Sequence, residues 1–383
     1  MKRVVFLPGV MWLVACGEPA PPDASVDAGP PAAIVDPSFG RDGYTQLDIR
    51  GEQVAAIAVR PSGAFAAITY SFPYNGELTS RLRVFLDDGS LDPVFASSGV
   101  LALDAFRAPH TVLAAADGRW TVIGPCRATP ALCVMRWNPD RTPDASFGDN
   151  GLVTVDGVGY VDAAVTADGG AIVIGTTAAA RLTPDGVLDT TYGDAGHAAL
   201  PFETRHATID GAGRVLAVEY GVTTTVTRLT ADGAVDATYG ASGLAAGSGN
   251  TGLSTIVALD DGAVLVGGTY FQDLLVLRFD ADGSPSPDFA QYGRAVLAEG
   301  SNAFGIAVLP DGRIAAAGYH GVAGIIDWIG SDGRWLDTSL TPNAIWKAIG
   351  TDAQGRVIVG GDVSLVPGSN SYDGVKFARF LPQ

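Results

Sequence analysis

The sequence predicts an all-β fold, a seven-bladed β-propeller in which each blade is a four-stranded antiparallel sheet. Two repeated features of the chain support this prediction. A short motif, clearest in Leu188–Gly196 (LDTTYGDAG), recurs about every 50 residues. A turn, usually Asp-Gly, recurs in phase with this motif and separates short apolar segments. A period of this length with several short strands per unit is typical of propeller blades, and no helical periodicity competes with it.

The motif contains an aromatic residue in six units, followed four residues later by a glycine. The aromatic residues are Phe39, Phe95, Phe147, Tyr192, Tyr239 and Phe289. The glycines are Gly43, Gly99, Gly151, Gly196, Gly243 and Gly293. In the seventh unit these positions hold Leu340 and Ala344, and the unit is several residues short. We therefore expect that the seventh blade could lack one strand.

The Asp-Gly turns indicate hairpins, because a tight turn between two apolar segments needs positive φ. The segments that follow them, such as RWTVIG and AVLVGG, are typical of strands buried on both faces. We expect the LDxxFGxxG motif to be the connection between neighbouring blades. Its Asp would cap the turn, its aromatic side chain would pack between blades, and its Gly would take positive φ.

The two ends of the repeat region look like consecutive pieces of one unit. The chain stops after an Arg379-Phe380 strand, and the repeats begin with the motif VDPSFG at 35–40. This arrangement predicts a closed ring, with the two ends of the propeller side by side.

The full pattern, an apolar strand followed by R[LF]xxDGxLDxxFGxxG, resembles the delta-60 repeat. This is a presumed β-propeller repeat of bacterial surface and exported proteins. The resemblance covers residues 36–383 and weakens late in the chain, where Ser286 replaces the motif Asp. It implies a fold and no particular reaction.

The N-terminus is typical of an export signal, with a basic Met1-Lys2-Arg3 start and an apolar run from Val4 to Ala15. The sequence Leu13-Val14-Ala15-Cys16 resembles a bacterial lipobox, which implies that Cys16 is acylated. The alternative is an ordinary signal peptide in which Cys16 is incidental. We thus predict a signal peptide at 1–15, a disordered Pro/Ala/Asp-rich tether at 16–35 and the propeller at 36–383. The expected location is the bacterial cell envelope, lipid-anchored at the outer membrane and facing either the periplasm or the outside.

The formal net charge is −17, which argues against nucleic-acid binding because that needs a surplus of Lys and Arg. Besides Cys16, the chain has only Cys126 and Cys133, which flank a predicted hairpin loop. A disulfide between them would form in an oxidising compartment, and two free thiols are the alternative.

No motif for nucleophilic catalysis, metallohydrolase activity or phosphate binding is present. Asp280-Ala281-Asp282-Gly283 starts like a calcium loop, but later oxygen ligands are missing, so we interpret it as a turn. His197 and His206 could approach each other across a hairpin, but they lack a third ligand for zinc. We expect no metal, no cofactor and a monomer.

If strands alternate in direction, the most variable loops share one face of the ring, where binding residues are usual. Tyrosines at or near the strand ends and loops of this face are the candidate binding residues: Tyr70, Tyr74, Tyr220, Tyr270, Tyr319 and Tyr372. They could stack on a carbohydrate or a peptide, or simply cover the strand ends.

The sequence favours a non-catalytic binding or scaffold module. One alternative is a polysaccharide lyase or glycoside hydrolase whose carboxylates meet at the mouth of the central channel. Another is a purely structural component of the envelope.

Overall fold

The structure is a computed structural model that describes residues 33–71, 77–96, 98–159, 162–219, 223–247, 252–271, 273–297, 302–321, 323–363 and 373–382. All regular elements in these ranges are β-strands, arranged as seven antiparallel sheets. The predicted fold class, a seven-bladed propeller, is confirmed. Within the described ranges there is no helix long and apolar enough to cross a membrane.

Two short strands precede the first complete blade: β1 (Ala33–Val35) and β2 (Tyr44–Leu47). The strands of blade 1 are β3 (Glu52–Val59), β4 (Phe65–Ser71), β5 (Thr79–Phe85) and β6 (Val100–Ala102). Those of blade 2 are β7 (Thr111–Ala114), β8 (Trp120–Pro125), β9 (Leu132–Trp137) and β10 (Leu152–Val155). Those of blade 3 are β11 (Asp162–Val165), β12 (Ala171–Ile174), β13 (Ala178–Leu182) and β14 (His197–Ala199).

The later blades follow the same order. The strands of blade 4 are β15 (Thr204–Ile209), β16 (Val215–Glu219), β17 (Thr224–Arg228) and β18 (Leu244–Gly247). Those of blade 5 are β19 (Gly252–Ala258), β20 (Val264–Tyr270), β21 (Asp273–Phe279) and β22 (Arg294–Leu297). Those of blade 6 are β23 (Asn302–Val308), β24 (Ile314–His320), β25 (Ala323–Ile329) and β26 (Trp335–Pro342). Blade 7 contributes β27 (Ala344–Thr351), β28 (Val357–Val363) and β29 (Gly374–Pro382).

The first strand of each blade contacts the first strands of both neighbouring blades, so these strands form the inner wall of the ring. The contact of β27 with β3 completes the circle. Seven apolar clusters fill the seven spaces between blades, one cluster for each pair of neighbours. A blade therefore buries both faces only when it has two neighbours, which explains why its middle strands are apolar throughout.

Blade 7 is completed by the N-terminal strands. Both β1 and β2 pair antiparallel with β29 and lie one after the other along its outer edge. Arg379 Nε donates to Asp36 Oδ2 at 2.7 Å, and this buried ion pair joins the two ends. The predicted closed ring, with its ends side by side, is thus confirmed. Ala33–Val35 belong to the propeller, which begins three residues before the boundary predicted at residue 36.

The LDxxFGxxG motif lies within a blade, so the prediction that it connects neighbouring blades was wrong. It joins the third strand to the outermost strand of the same sheet, as between β9 and β10. The motif turns back because its start still pairs with the third strand: Asp144 N donates to Arg136 O at 2.9 Å. The blade-to-blade connection instead follows the outermost strand, as between β6 and β7.

The roles predicted for the motif residues hold inside the blade. Asp144 Oδ1 accepts hydrogen bonds from Ser146 N and Oγ at 3.0 and 2.6 Å, which caps the turn. Phe147 is 1% exposed and packs in the apolar cluster between blades 2 and 3. Gly151 has φ of 91°, a conformation that other residues rarely adopt.

In blades 2, 3, 4 and 7, a recurring arginine of the third strand binds the Asp of the motif. Arg136 Nε donates to Asp144 Oδ2 at 2.8 Å, and its guanidinium carbon lies 4.0 Å from the centre of the Phe147 ring. Its Nη2 donates to Pro184 O of blade 3 at 2.7 Å. Burial alone would raise the pKa of Asp144, but hydrogen bonds from Ser146 and the neighbouring arginines bring it down to about 2. The recurring Arg and Asp residues therefore serve folding and contacts between blades.

The seventh copy of the motif is itself a strand. Its residues form most of β26, the outermost strand of blade 6, and Asn343 alone separates β26 from β27. The strand that the sequence left in doubt is therefore present. Each of the seven sheets is four strands wide, and in blade 7 the outermost position is shared by β1 and β2. Leu340 does not replace the buried aromatic residue, since it is 64% exposed. Trp328 and Trp346, both fully buried, fill the space between blades 6 and 7 instead.

Candidate functional site

The antiparallel order of the strands gives the ring two different faces. We call one the turn face: it carries the hairpins between first and second strands and the LDxxFGxxG motifs. We call the other the loop face: it carries the loops between second and third strands and the connections between blades. The second set of loops varies most in sequence, so the loop face is the candidate binding face.

A pocket of about 440 Å³ opens at the loop-face end of the inner strands of blades 1, 2, 6 and 7. We call it the axial pocket. Its walls are a mixture of aromatic, aliphatic and basic residues from all four blades: Val54, Ala55, Tyr70, Leu78, Ala108, Pro109, His110, Phe304 and Lys347. Among the residues that the structure describes, no carboxylate lines it.

Bulges in the inner strands aim side chains at this pocket. The pairing register shifts by one residue at Ala55 in β3, at Phe304 in β23 and at Lys347 in β27. All three residues line the axial pocket. A β-bulge re-aims one side chain relative to the regular alternation, and bulges are frequent next to binding sites. Because the bulged residues differ between blades, the symmetry of the ring is broken here.

A chain of polar contacts runs along the pocket wall. Tyr70 Oη donates to Gln53 Oε1 at 3.0 Å, and Lys347 Nζ donates to the same oxygen at 3.2 Å. Lys347 also forms an ion pair with Asp362 Oδ2. Asp362 is fully buried, and its Oδ1 accepts from Val54 N at 2.8 Å. Burial raises the pKa of Asp362, and Lys347 partly opposes this effect.

The six candidate tyrosines do not form one ring. Tyr70 lines the axial pocket, and Tyr319 stacks on the pocket residue Phe304 with ring centres 5.6 Å apart. Tyr270 lies elsewhere: it packs edge-on against Phe271 and under the Arg294 guanidinium, in a groove between β22 and the start of β26. Tyr74, Tyr220 and Tyr372 lie outside the described residues, as does Cys16.

Sequence reasoning missed Phe304 and Lys347. Phe304 is the only aromatic residue of β23, and Lys347 is the one charged residue in the apolar β27. A large or charged side chain in an otherwise small, apolar inner strand was a signal that could have been noticed. Which face such a residue occupies depends on the bulge, and a bulge is visible only in the pairing.

The disulfide predicted between Cys126 and Cys133 is present, with Cα atoms 5.0 Å apart. Its loop also contacts blade 1. Arg127 Nη2 donates to Leu78 O at 3.2 Å, and Arg127 Nη1 pairs with Glu77 at 3.1 Å. Because Leu78 lines the axial pocket, the disulfide loop of blade 2 supports one wall of the pocket.

Acids with raised pKa values are dispersed over the ring. Burial raises the pKa of Asp162 in blade 3 to about 6, and it raises the pKa of Asp327 in blade 6 and of Asp362 in blade 7. None of the three lines the axial pocket. Asp327 is 1% exposed and Asp362 is fully buried, so substrate cannot reach these two.

In the described ranges, no three His, Cys, Asp or Glu side chains are grouped so that they could hold a metal ion. The suspected calcium loop is a turn: Asp282 Oδ1 accepts from Ser284 N at 2.9 Å and from its Oγ at 2.6 Å. His197 lies close to Asp156 O, at 3.3 Å from its Nε2.

Larger pockets exist on the turn face, but they occur at equivalent positions between different pairs of blades. One of about 720 Å³ lies beside the hairpins of blades 5 and 6, and one of about 550 Å³ lies beside those of blades 3 and 4. Arg278 and Arg181, at equivalent positions of their blades, line these two gaps. We interpret these gaps as a feature of the architecture, whereas the axial pocket is specific to one place.

Comparison with known proteins agrees with the fold. The family model described as "Domain of unknown function (DUF5122) beta-propeller" matches residues 259–289, which run from the first hairpin of blade 5 through β20 and β21 to Phe289 of the motif. No curated protein sequence matches the chain. The chain is thus similar to a propeller family over one short stretch, and its blades form a seven-bladed β-propeller.

Proposed function

We propose that the protein is a lipid-anchored, exported β-propeller that acts as a non-catalytic binding module at the bacterial cell envelope, and that its ligand is a carbohydrate. The axial pocket supports this proposal most directly. It joins aromatic and hydrogen-bonding side chains where residues of four blades meet on the loop face, and three of these residues lie at bulges.

The chemistry of the pocket favours a neutral sugar. Tyr70 and Phe304 offer flat apolar surfaces on which the apolar face of a sugar ring can stack. The Lys347 ammonium and the Tyr70 hydroxyl, both of which line the pocket, offer polar atoms for hydroxyl groups. Because the charge of Lys347 is balanced by Asp362, the pocket gains little from an anionic ligand.

The enzymatic alternative, a lyase or glycoside hydrolase, needs two carboxyl groups within about 10 Å of each other across a substrate. The acids with raised pKa values lie on three different blades, and none faces the axial pocket. These positions favour binding over catalysis.

The test is a glycan array followed by calorimetry on Tyr70→Ala, with Tyr270→Ala as the matched control. Both tyrosines are at the loop-face end of a second strand, but only Tyr70 lines the axial pocket. We expect Tyr70→Ala to weaken binding about fivefold or more, since a stacked aromatic ring contributes about 1 kcal/mol or more. Tyr70→Phe should keep most of the affinity. Equal loss in Tyr70→Ala and Tyr270→Ala would contradict the assignment.

The lipid anchor rests on the Leu13–Cys16 sequence. Expression with a radiolabelled fatty acid in a bacterium that processes lipoproteins should label the protein, and Cys16→Ser should abolish the label. A wild-type chain that is exported but remains unlabelled would rule out the anchor and leave an ordinary signal peptide.

A further inference from the structure

A groove of about 480 Å³ lies on the outer rim of the ring, between β22 of blade 5 and the start of β26 of blade 6. We call it the rim groove. Two arginines, Arg294 and Arg334, and two aromatic residues, Tyr270 and Trp335, are among its lining residues. No carboxylate of the described ranges lines it. The groove therefore offers positive charge and ring surfaces that the function proposed for the axial pocket does not use.

Three residues of the rim groove break the repeat of the blades. Arg294 is the first residue of β22, whereas the other outermost strands that follow a motif glycine begin with Tyr44, Val100, Leu152, His197 and Leu244. Trp335 pairs with the end of the third strand, where other blades have Leu91, Pro143, Leu188, Val235 and Pro285. The residue before Trp335 is Arg334, and in those blades it is Ser90, Thr142, Val187, Ala234 and Ser284. Residues that the fold requires recur from blade to blade, so three departures at one place indicate a local function.

Arg294 is a half-buried cation without an acidic partner. Its guanidinium carbon lies 4.4 Å from the centre of the Tyr270 ring, and its Nε is buried without a hydrogen-bond partner in the described part of the chain. Within that part it also forms no ion pair, whereas Arg136, Arg228 and Arg379 each bind a carboxylate. Partial removal of a charge from water costs free energy unless an opposite charge compensates it. A carboxylate of a ligand would supply the missing partner.

Trp335 provides a fixed ring surface in the same groove. Its indole Nε1 donates to Thr338 Oγ1 at 3.2 Å, and the residue is 51% exposed. Because the indole N–H is already bonded, the exposed surface offers stacking rather than a hydrogen bond. Arg334 adds a second cation: its side chain is 83% exposed, and its contact with Asp332 is long, at 3.5 Å. Such an exposed ion pair is weak, so a ligand can compete for this guanidinium.

We propose that the rim groove binds a hexuronic acid unit of a glycan, with its carboxylate at Arg294 and Arg334 and its sugar ring on Trp335. A guanidinium binds a carboxylate through two parallel hydrogen bonds, and a sugar ring stacks on an indole through its apolar face. The site is separate from the axial pocket, where Asp362 already balances the charge of Lys347. The proposal therefore does not depend on the ligand of that pocket.

The net charge of −17 favours a ligand with one carboxylate over a polyanion. An acidic peptide, a densely charged polysaccharide or an anionic lipid surface would extend beyond the groove and meet the repulsion of the whole protein. One carboxylate on an otherwise neutral glycan interacts mainly with the groove, since charges more than about 8 Å away are largely screened at physiological salt.

The test is calorimetry on the full chain carrying Cys16→Ser, with two probes. One is an oligosaccharide that contains one glucuronic acid residue, and the other is the same oligosaccharide with that carboxyl group reduced to an alcohol. We expect Arg294→Gln to weaken binding of the acid about tenfold or more, because a charge-assisted hydrogen bond is lost, and to leave binding of the alcohol unchanged. Arg294→Lys should keep part of the affinity for the acid, since the charge remains. Trp335→Ala should weaken binding of the acid about fivefold.

Two control variants keep the result specific. Arg41→Gln removes the same charge from blade 7, where the Arg41 side chain is 96% exposed, and it should leave the affinity for the acid unchanged. Tyr70→Ala alters the axial pocket and should also leave this affinity unchanged, so that failure of one site is distinguishable from failure of the other. The proposal is overturned if the parent chain does not bind the acid, if Arg294→Gln binds it as tightly as the parent, or if Arg41→Gln or Tyr70→Ala weakens its binding as much as Arg294→Gln does.

Discussion

The buried hydroxyl groups of Tyr192 and Tyr239 give a sharp test of the packing between blades. Both side chains are fully buried at the aromatic position of the motif, and neither hydroxyl has a hydrogen-bond partner. Burial raises the pKa of Tyr192 to about 12, which shows how poorly this site solvates a charge. Phe39, Phe95, Phe147 and Phe289 occupy the same position in other blades without a hydroxyl.

We expect Tyr192→Phe to stabilise the protein. Removing a buried hydroxyl without a partner recovers about 1–3 kcal/mol of desolvation cost. The gap left by one oxygen, roughly 10–15 Å³, costs only about 0.3 kcal/mol. The net gain is about 0.7–2.7 kcal/mol at each site. For a domain of about 350 residues, this raises Tm by about 1–4 °C for one substitution and about 2–7 °C for both.

The assay is urea denaturation at neutral pH together with calorimetry, on Tyr192→Phe, Tyr239→Phe and the double variant. Phe147→Tyr is the reciprocal control, because it adds a hydroxyl at the same position of blade 2 and should lower stability by a similar amount. A loss of about 1 kcal/mol or more in both Tyr→Phe variants would refute the reasoning, because it would mean that the hydroxyls are bonded in solution.

Three further outcomes are expected. Asp162→Asn should stabilise the protein at pH 7 by at most about 3 kcal/mol, since the acid's pKa rises from 3.8 to about 6 on folding. Wild-type stability falls as pH rises through this window, and pH-dependent denaturation should show that Asp162→Asn removes that slope. Arg379→Ala should lower the free energy of unfolding by about 3–5 kcal/mol, measured by denaturant titration, because Asp36 is left buried without its cation. The double variant Asp36→Ala/Arg379→Ala should recover part of this loss. Cys126→Ser/Cys133→Ser should lower the free energy of unfolding by about 2 kcal/mol, as expected for a disulfide that closes a short loop. Dithiothreitol should lower the stability of the wild type and leave that of the variant unchanged.

Much of the fold could be predicted from the sequence because the period is strict. The spacing of Phe147 and Gly151 in the motif repeats in five other blades. From this repetition one can predict that each of these motifs places one buried aromatic ring between two blades. The position of the motif was mispredicted, because its constant length was taken for the span between blades. A hydrogen-bonded turn such as Asp144–Gly151 needs a fixed number of residues. The connection between blades only has to span the distance to the next blade, so its length can vary.

The candidate site was less predictable, since it depends on register. Tyr70 was identified because it ends an apolar strand, and it does line the axial pocket. Lys347 was not identified from the sequence. In a regular strand, its side chain would not be expected to meet residues of blades 1, 2 and 6. One extra residue in β27 determines where it points, and neither propensity nor period indicates that insertion.

The way in which β1 and β29 close the ring has a consequence for biosynthesis. Asp36 leaves the ribosome 343 residues before its partner Arg379. The first strand made must therefore wait, unpaired, for the last one, and blade 7 cannot assemble on a nascent chain. Such long-range pairing slows folding, and the ring can close only after the whole chain has been released.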